Sequence, residues 1–435
     1  GSFKVTGSQF IEPNTLLNQT RDYVLSFDNT TGQIFKMFTS SIQDYVYRTG
    51  SNNTNIIPAK FGTFDNTGTN SAIASGDNNS ITKGCSFIGG GSKNLLSMPN
   101  SFIGGGYLNT ASADSSNVSI VGGQCNIIGD LDDGDGVNNS FIGAGFRNRI
   151  ADPNGYNAGD ESFIGGGCCN LIDSNQSSIV GGQLNTASGA CSFIGGGARN
   201  IACGLTSIVV GGTLNTASTA CSFIGGGNNN SISSDYGGST SVIVGGQDNT
   251  ISGQYNNFRF IGAGCCNTIC NGLNRGVIVG GICNTISGNY QASMFIGAGQ
   301  FNTVESQDGV VVGGFDNCVS GPISYGFIGG GRSNNTYANA PVIVGGCCNS
   351  ISAYQNKQSA IVGGCCNSIS GAYCKQSFIG GGCQNIICST NNAVIVGGTL
   401  NTASTACSFI GGGKCNRVCS ELSFIGGGTL NIIDH

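Results

Sequence analysis

Few side chains in this 435-residue sequence could do chemistry, and their spacing narrows the choice further. There are 22 Cys, 22 Asp plus Glu, and a single His, the last residue, His435. One terminal His leaves no Ser-His-Asp or Cys-His arrangement within a chain, so no hydrolytic centre of those kinds is expected. The carboxylates fall mainly in loop-like stretches. The densest group, Asp130, Asp132, Asp133 and Asp135 in DLDDGDG, has the oxygen donors for a calcium ion, but a solvated acidic loop accounts for it better. No other metal and no cofactor is expected, and the chain does not read as an enzyme.

The cysteines have a pattern. Cys125, Cys169, Cys266, Cys283, Cys348, Cys366 and Cys415 each precede an Asn, where comparable positions hold Leu108, Leu184, Leu214 and Leu400. The first reading is therefore a small buried hydrophobe. The second is disulfides: Cys191 with Cys203 and Cys407 with Cys419 share a separation of 12. Cys347 with Cys365, and Cys348 with Cys366, would lie on adjacent coils. A Cys₄ zinc site from these last four is the third reading. Against it, vicinal residues in a strand point apart, and the spacing is not that of a knuckle.

The elements that must position these residues come from a repeat. The sentence VGGTLNTASTACSFIGGG stands at both 210–227 and 396–413. The general unit is an apolar residue, Ile, two or three small residues, then x-x-Asn-x and an apolar residue. Its Asn recurs 22 times from Asn79 to Asn431, including Asn94, Asn109, Asn126, Asn148, Asn170 and Asn185. Spacings have a hard minimum of 15 residues and reach 22, which predicts a fixed coil with loops inserted at one corner. Within a unit the period is two, as in strands. Fifteen residues are too few for a three-sided coil. The expected fold is all-β: a parallel two-sided β-roll, or β-solenoid, of about 22 coils stacked at about 4.8 Å.

Two apolar ladders should form its core. The first is Ile88, Ile103, Ile120, Ile142, Ile164, Ile179, Ile194, Ile224 and their counterparts; the second follows each Asn by two residues. The Asn is assigned to a tight turn, taking left-handed dihedrals and bonding along the stack. The outer face of the Ile-bearing strand carries Phe with Gly in some units (Phe87, Phe102, Phe141, Phe163, Phe193, Phe223). Other units carry a smaller residue with Val, as in Val242/Val244. A strand apolar on both faces is covered on both faces, and the economical cover is another copy of the chain.

Composition agrees with a solenoid. Charged residues are 9%, Gly numbers 76 and there is no Trp. A net charge of −5 without a basic patch argues against nucleic-acid binding. No apolar run is long enough to insert in a membrane. No secretory signal opens the sequence. Segment 1–70 lacks the repeat. Its YVLSF and QIFKM stretches predict a β-hairpin, read as a small attachment or capping module with a linker, and 71–435 is the repetitive domain.

These SFIGGG…N-x-I units resemble the head repeats of trimeric autotransporter adhesins, and more closely the GGxxNxA repeats of related surface adhesins and viral fibres. The resemblance covers roughly 71–435. It implies a left-handed β-roll, assembled as a homotrimer, in an extracellular attachment fibre on a virion or cell surface. No heptad stalk or anchor barrel follows the repeats in this sequence, which favours a viral or other extracellular fibre over a bacterial autotransporter. A surface receptor or glycan would then meet the long loops after Asn126, Asn148 and Asn230. Two other functions remain: a carbohydrate-active β-helix enzyme, for which no repeated carboxylate column is found, and an ice-binding solenoid. The latter needs a regular Thr array, and the Thr that follow Asn are interrupted by Ile, Arg, Ser and Cys. Sequons occur in loops, and one ladder residue, Asn334, also completes one with Thr336.

Overall fold

A computed structural model describes residues 23–27, 34–38, 48–49, 56–57 and 65–434, except 113–115, 130–135, 152–158, 234–239, 254–257, 271–274, 289–292, 322–324, 372–373 and 389–390. Every regular element among the described residues is a β-strand. Two compact units divide the chain: Gly1–Arg147 with Asn154–Tyr156, and Asn148–Pro153 with Asn157–His435.

In the first unit, Tyr23–Phe27 pairs antiparallel with Ile34–Phe38, which is the expected hairpin. The stack that follows is built from two parallel sheets. One contains Phe87–Ile88, Phe102–Ile103, Ser119–Ile120 and Phe141–Ile142 in register. The other contains Ser80–Ile81, Leu95–Leu96, Thr110–Ala111 and Ile127–Ile128. The stacking reaches further back than residue 71, the expected boundary: Ile56 pairs in parallel with Ala72, and Asp65–Asn66 with Ser80–Ile81.

The second unit repeats the scheme. Its first sheet runs from Phe163–Ile164 through Ser178–Ile179 and Phe193–Ile194 to Phe424–Ile425; its second runs from Arg149–Ile150 to Ile432–Ile433. Each strand pairs with its counterparts one coil before and one coil after, an open progression rather than a barrel. The chain is thus a parallel β-solenoid in each unit, with an apolar centre of stacked ladders. Ile88, Ile103, Ile120 and Ile142 in the first unit, and Ile164, Ile179, Ile194 and Ile224 in the second, are fully buried. So are the facing residues Leu96, Ala111, Ile128, Ile172 and Ala187. Neighbouring coils supply the contacts that one coil alone lacks.

The strands are shorter than the sequence suggested. Regular pairing covers two residues in most strands rather than about five. A third column of single parallel bridges, such as Asp77↔Ser92↔Tyr107, lies between them. The reason is local. The last Gly of each GGG has positive φ (Gly91, +88°), and so does the residue before each Asn (Lys93, +57°), so extended backbone cannot continue through the turn. The Gly is irreplaceable there: a Cβ on Gly227 would sit 2.1 Å from the Gly246 carbonyl oxygen of the next coil.

Candidate functional site

Three features carry the chemistry of this molecule: a column of amides at one corner, an apolar strip outside the first sheet, and the thiols of the turns.

The Asn column is internal. Asn230 donates its backbone N–H and Nδ2 to Asn215 Oδ1 at 3.0 and 3.1 Å, and its Nδ2 to the carbonyls of Gly226 and Gly246 at 3.0 and 2.9 Å. Its Oδ1 accepts from the N–H and Nδ2 of Asn249 at 3.1 and 3.0 Å. Each amide therefore ties three coils together. Asn94, Asn109, Asn126, Asn148, Asn170 and Asn185 are buried in the same way. No face of the amide is left for a ligand. The sequon at Asn334 is likewise closed, because its Nδ2 donates to Asn317 Oδ1 and to the Gly330 and Gly346 carbonyls inside the turn. The left-handed residue is also not the Asn, as the sequence reading had it, but the one before it, such as Asn229 at +55°. The fully bonded amide holds its own backbone immediately before the second-sheet strand, as Asn230 precedes Ser231–Ile232.

A second buried polar column stands just before the first-sheet strands. Ser177 donates to the Gly189 carbonyl at 3.0 Å and accepts from the Ser192 N–H at 3.2 Å. The inward direction of this Ser was legible in SFIGGG from its parity with Ile, but no role followed from it. The column is less regular than the amides: the hydroxyls of Ser207 and Ser241 are buried without a partner. Arg259 takes the serine's place in one coil, 1% exposed, with its guanidinium donating to the Ser252 carbonyl. Burial pulls its pKa down to about 10, against the small opposing pull of Cys270.

The outer strip follows from the alternation of Phe and Val coils. In the second unit Phe163, Phe193, Phe223, Phe260, Phe295 and Phe327 alternate with coils bearing Val180, Val210, Val244, Val279 and Val312. Each ring folds sideways over the bare backbone of its own strand: a Cβ on Gly225 would lie 3.4 Å from Phe223 Cε1 and 2.4 Å from the Val244 carbonyl oxygen. Gly is therefore required to make room for both the ring and the next coil. This partial self-cover leaves Phe102 37% and Phe163 38% exposed, and Phe141, Phe193 and Phe223 less so. The valines stand prouder, Val244 at 50% and Val344 at 51%. Where two Phe coils adjoin, the rings stack, with centroids 5.9 Å apart for Phe87–Phe102 and 4.9 Å for Phe409–Phe424.

The cysteines overturn two expectations. They are not mainly core residues: only Cys374 is buried, and the positions before Asn are half-exposed or exposed. No disulfide is present among the described residues. Cys191 and Cys203 are not joined; Cys191 Sγ donates to Gln176 Oε1 at 3.3 Å, and Cys203 faces Ser218. Cys407 and Cys419 are also thiols, with Ser404 Oγ 3.6 Å from Cys419 Sγ. Cys347 and Cys365 do lie in register on adjacent coils, followed by Cys383, but as thiols.

Vicinal cysteines do not point apart. Their sulfurs are 3.2 Å apart in Cys168–Cys169, 3.1 Å in Cys265–Cys266 and 3.3 Å in both Cys347–Cys348 and Cys365–Cys366. The second residue of each pair is left-handed (Cys266, +57°), which cancels the alternation of a strand and brings both side chains to one side. Crowding favours the thiol form of Cys347 and Cys366. Cys366 is pushed up to about 11, first by its hydrogen bond with Cys365, then by burial and the nearby Cys365, Cys348 and Cys383.

The acidic group Asp130, Asp132, Asp133 and Asp135 lies outside the described residues, as do the long insertions 152–158 and 234–239. On the outer face of the second sheet, Thr250, Thr268, Thr285 and Thr303 fall in register on four coils, bounded by Ser231 and Cys318. No helix among the described residues is long and apolar enough to cross a membrane. No protein-family model matches the chain, and no curated protein is significantly similar to it.

Proposed function

We propose that this chain is a structural and adhesive fibre protein, whose copies associate through the outer strip of the first sheet. The strip of Phe and Val supports this reading, because it is repeated on coil after coil and flattened by the Gly-backed rings. Large exposed apolar patches mark association sites. A strip that repeats with the coils matches a second copy of itself better than any irregular partner. The number three, and a place on a virion or cell surface, rest on the resemblance to adhesin and fibre repeats. Attachment through 1–70 and recognition of a receptor or glycan through the insertion loops complete the proposal.

The test is to replace Val210, Val244 and Val279 together by Asp. These side chains contribute nothing to the coil's own core, so far-UV circular dichroism should keep its β signature while light scattering reports dissociation to single chains. An assembly mass unchanged by three charges on the strip would show that the contact lies elsewhere.

A further inference from the structure

One turn of the second unit differs from the others in its donor set. Asp248, Cys265 and Cys266 place a carboxylate oxygen and two sulfurs all within 4.8 Å of one another, and all three residues are half-buried. The neighbourhood is built around this convergence. Asp248 and Cys266 occupy the left-handed position of successive coils, with the Cys266 N–H donating to the Gln247 carbonyl at 2.9 Å. Asn229 Nδ2 donates to Asp248 Oδ1 at 2.7 Å and Gln247 Nε2 to Asp248 Oδ2 at 3.0 Å. The carboxylate is thereby oriented, and each oxygen keeps a lone pair. Cys283 holds the same left-handed position one coil further on, its N–H bonded to the Cys265 carbonyl at 2.9 Å.

We propose that Asp248, Cys265 and Cys266 bind one thiophilic divalent cation of the zinc type, with Cys283 as the fourth ligand. The chemistry selects the ion. Two or three sulfurs exclude calcium and magnesium, which take oxygen donors, whereas Zn²⁺ accepts mixed sulfur and oxygen sets in tetrahedral geometry. Sulfurs about 2.3 Å from a common ion stand about 3.8 Å apart, so the 3.1 Å pair must open slightly by side-chain rotation. Each coordinating thiol releases its proton to solvent as the metal–sulfur bond forms, with no redox change. The carboxylate is what sets this turn apart: before Cys347–Cys348 the corresponding position on the preceding coil is Ser333. Bound metal would clamp three coils at the corner where the amide column already joins them.

The full chain, reduced and freed of metal, should be titrated with Co²⁺ and then Zn²⁺, with native mass spectrometry counting bound ions. One tight equivalent is expected, giving sulfur-to-cobalt charge-transfer absorption. In Cys265→Ser/Cys266→Ser that equivalent should disappear, while Cys347→Ser/Cys348→Ser retains it. Asp248→Asn should weaken binding at least about tenfold while leaving the thiolate absorption in place. Identical tight binding by the parent and the Cys265→Ser/Cys266→Ser variant would overturn the assignment. So would a parent protein whose Cys265 and Cys266 resist alkylation until reduced, since a disulfide would then hold the site.

Discussion

Each coil turns twice, and the two corners are built differently. At the amide corner the path from the core Ile to the Asn is six residues in unit after unit, as in Ile88 to Asn94 and Ile425 to Asn431. At the serine corner, between the second sheet and the next first-sheet strand, the length varies, with Ile81 followed by a strand at Phe87 but Ile128 only by one at Phe141. The hydrogen bonds explain the contrast. An amide with one acceptor and two donors bonds the coils above and below at once, so an extra residue would break three coils. A hydroxyl reaches fewer partners and is dispensable: Arg259, Gly276, Met294, Gly309, Gly326 and Pro341 replace it on successive coils. One corner therefore fixes the register, and the other absorbs variation. Because length variation among the repeats from Asn79 to Asn431 falls at the serine corner, the outer strip of the first sheet runs from coil to coil within each unit.

The contrast is most forcefully broken by insertion. One Gly added between Ile224 and Asn230 should abolish cooperative folding of the surrounding coils, whereas the same residue added within 234–239 should leave the melting temperature nearly unchanged. Thermal scans of the two variants make the comparison; equal tolerance would mean that the corners are equivalent. Substitution should act next. Asn200→Ala strands the Gly196 carbonyl and the Asn215 N–H, now bonded at 2.9 and 3.0 Å, while the Gly212 carbonyl keeps the Ala198 N–H at 2.9 Å. At about 1–3 kcal/mol for each buried unpaired group, a loss of at least about 2 kcal/mol is expected in denaturant unfolding. Ser192→Ala, on the other corner of the same coil, removes one 3.3 Å bond to Ser177 and should lose about 1 kcal/mol or less. The smallest effect belongs to Gly196→Ala. A Cβ there meets nothing within 4 Å, so stability should stay within about 0.5 kcal/mol of the parent. A large loss would mean that the Gly serves a contact beyond the single chain.

Much of this architecture can be read from the sequence, for a physical reason. Strict length between Ile and Asn makes the ladder periodic, so the buried Ile and their facing residues follow directly. The sideways Phe ring over its own Gly was also legible, since Phe and Gly share one face two residues apart. What escaped was the turn. Parity arguments assume extended backbone, and two positive φ values in each GGxxN segment break that assumption. They shorten the strands, shift the left-handed site from Asn to its predecessor, and turn vicinal Cys to the same side. The convergence of Asp248 with Cys265 and Cys266 was invisible for the same reason, because the carboxylate comes from the preceding coil.

The claim that the outer strip is sealed by sister copies is tested most directly by the mass of the native assembly. Under reducing conditions, light scattering on the intact chain should give three times the mass of one polypeptide, unchanged on dilution through the micromolar range. A single-chain mass, with Val244 and Val344 open to water, would contradict it.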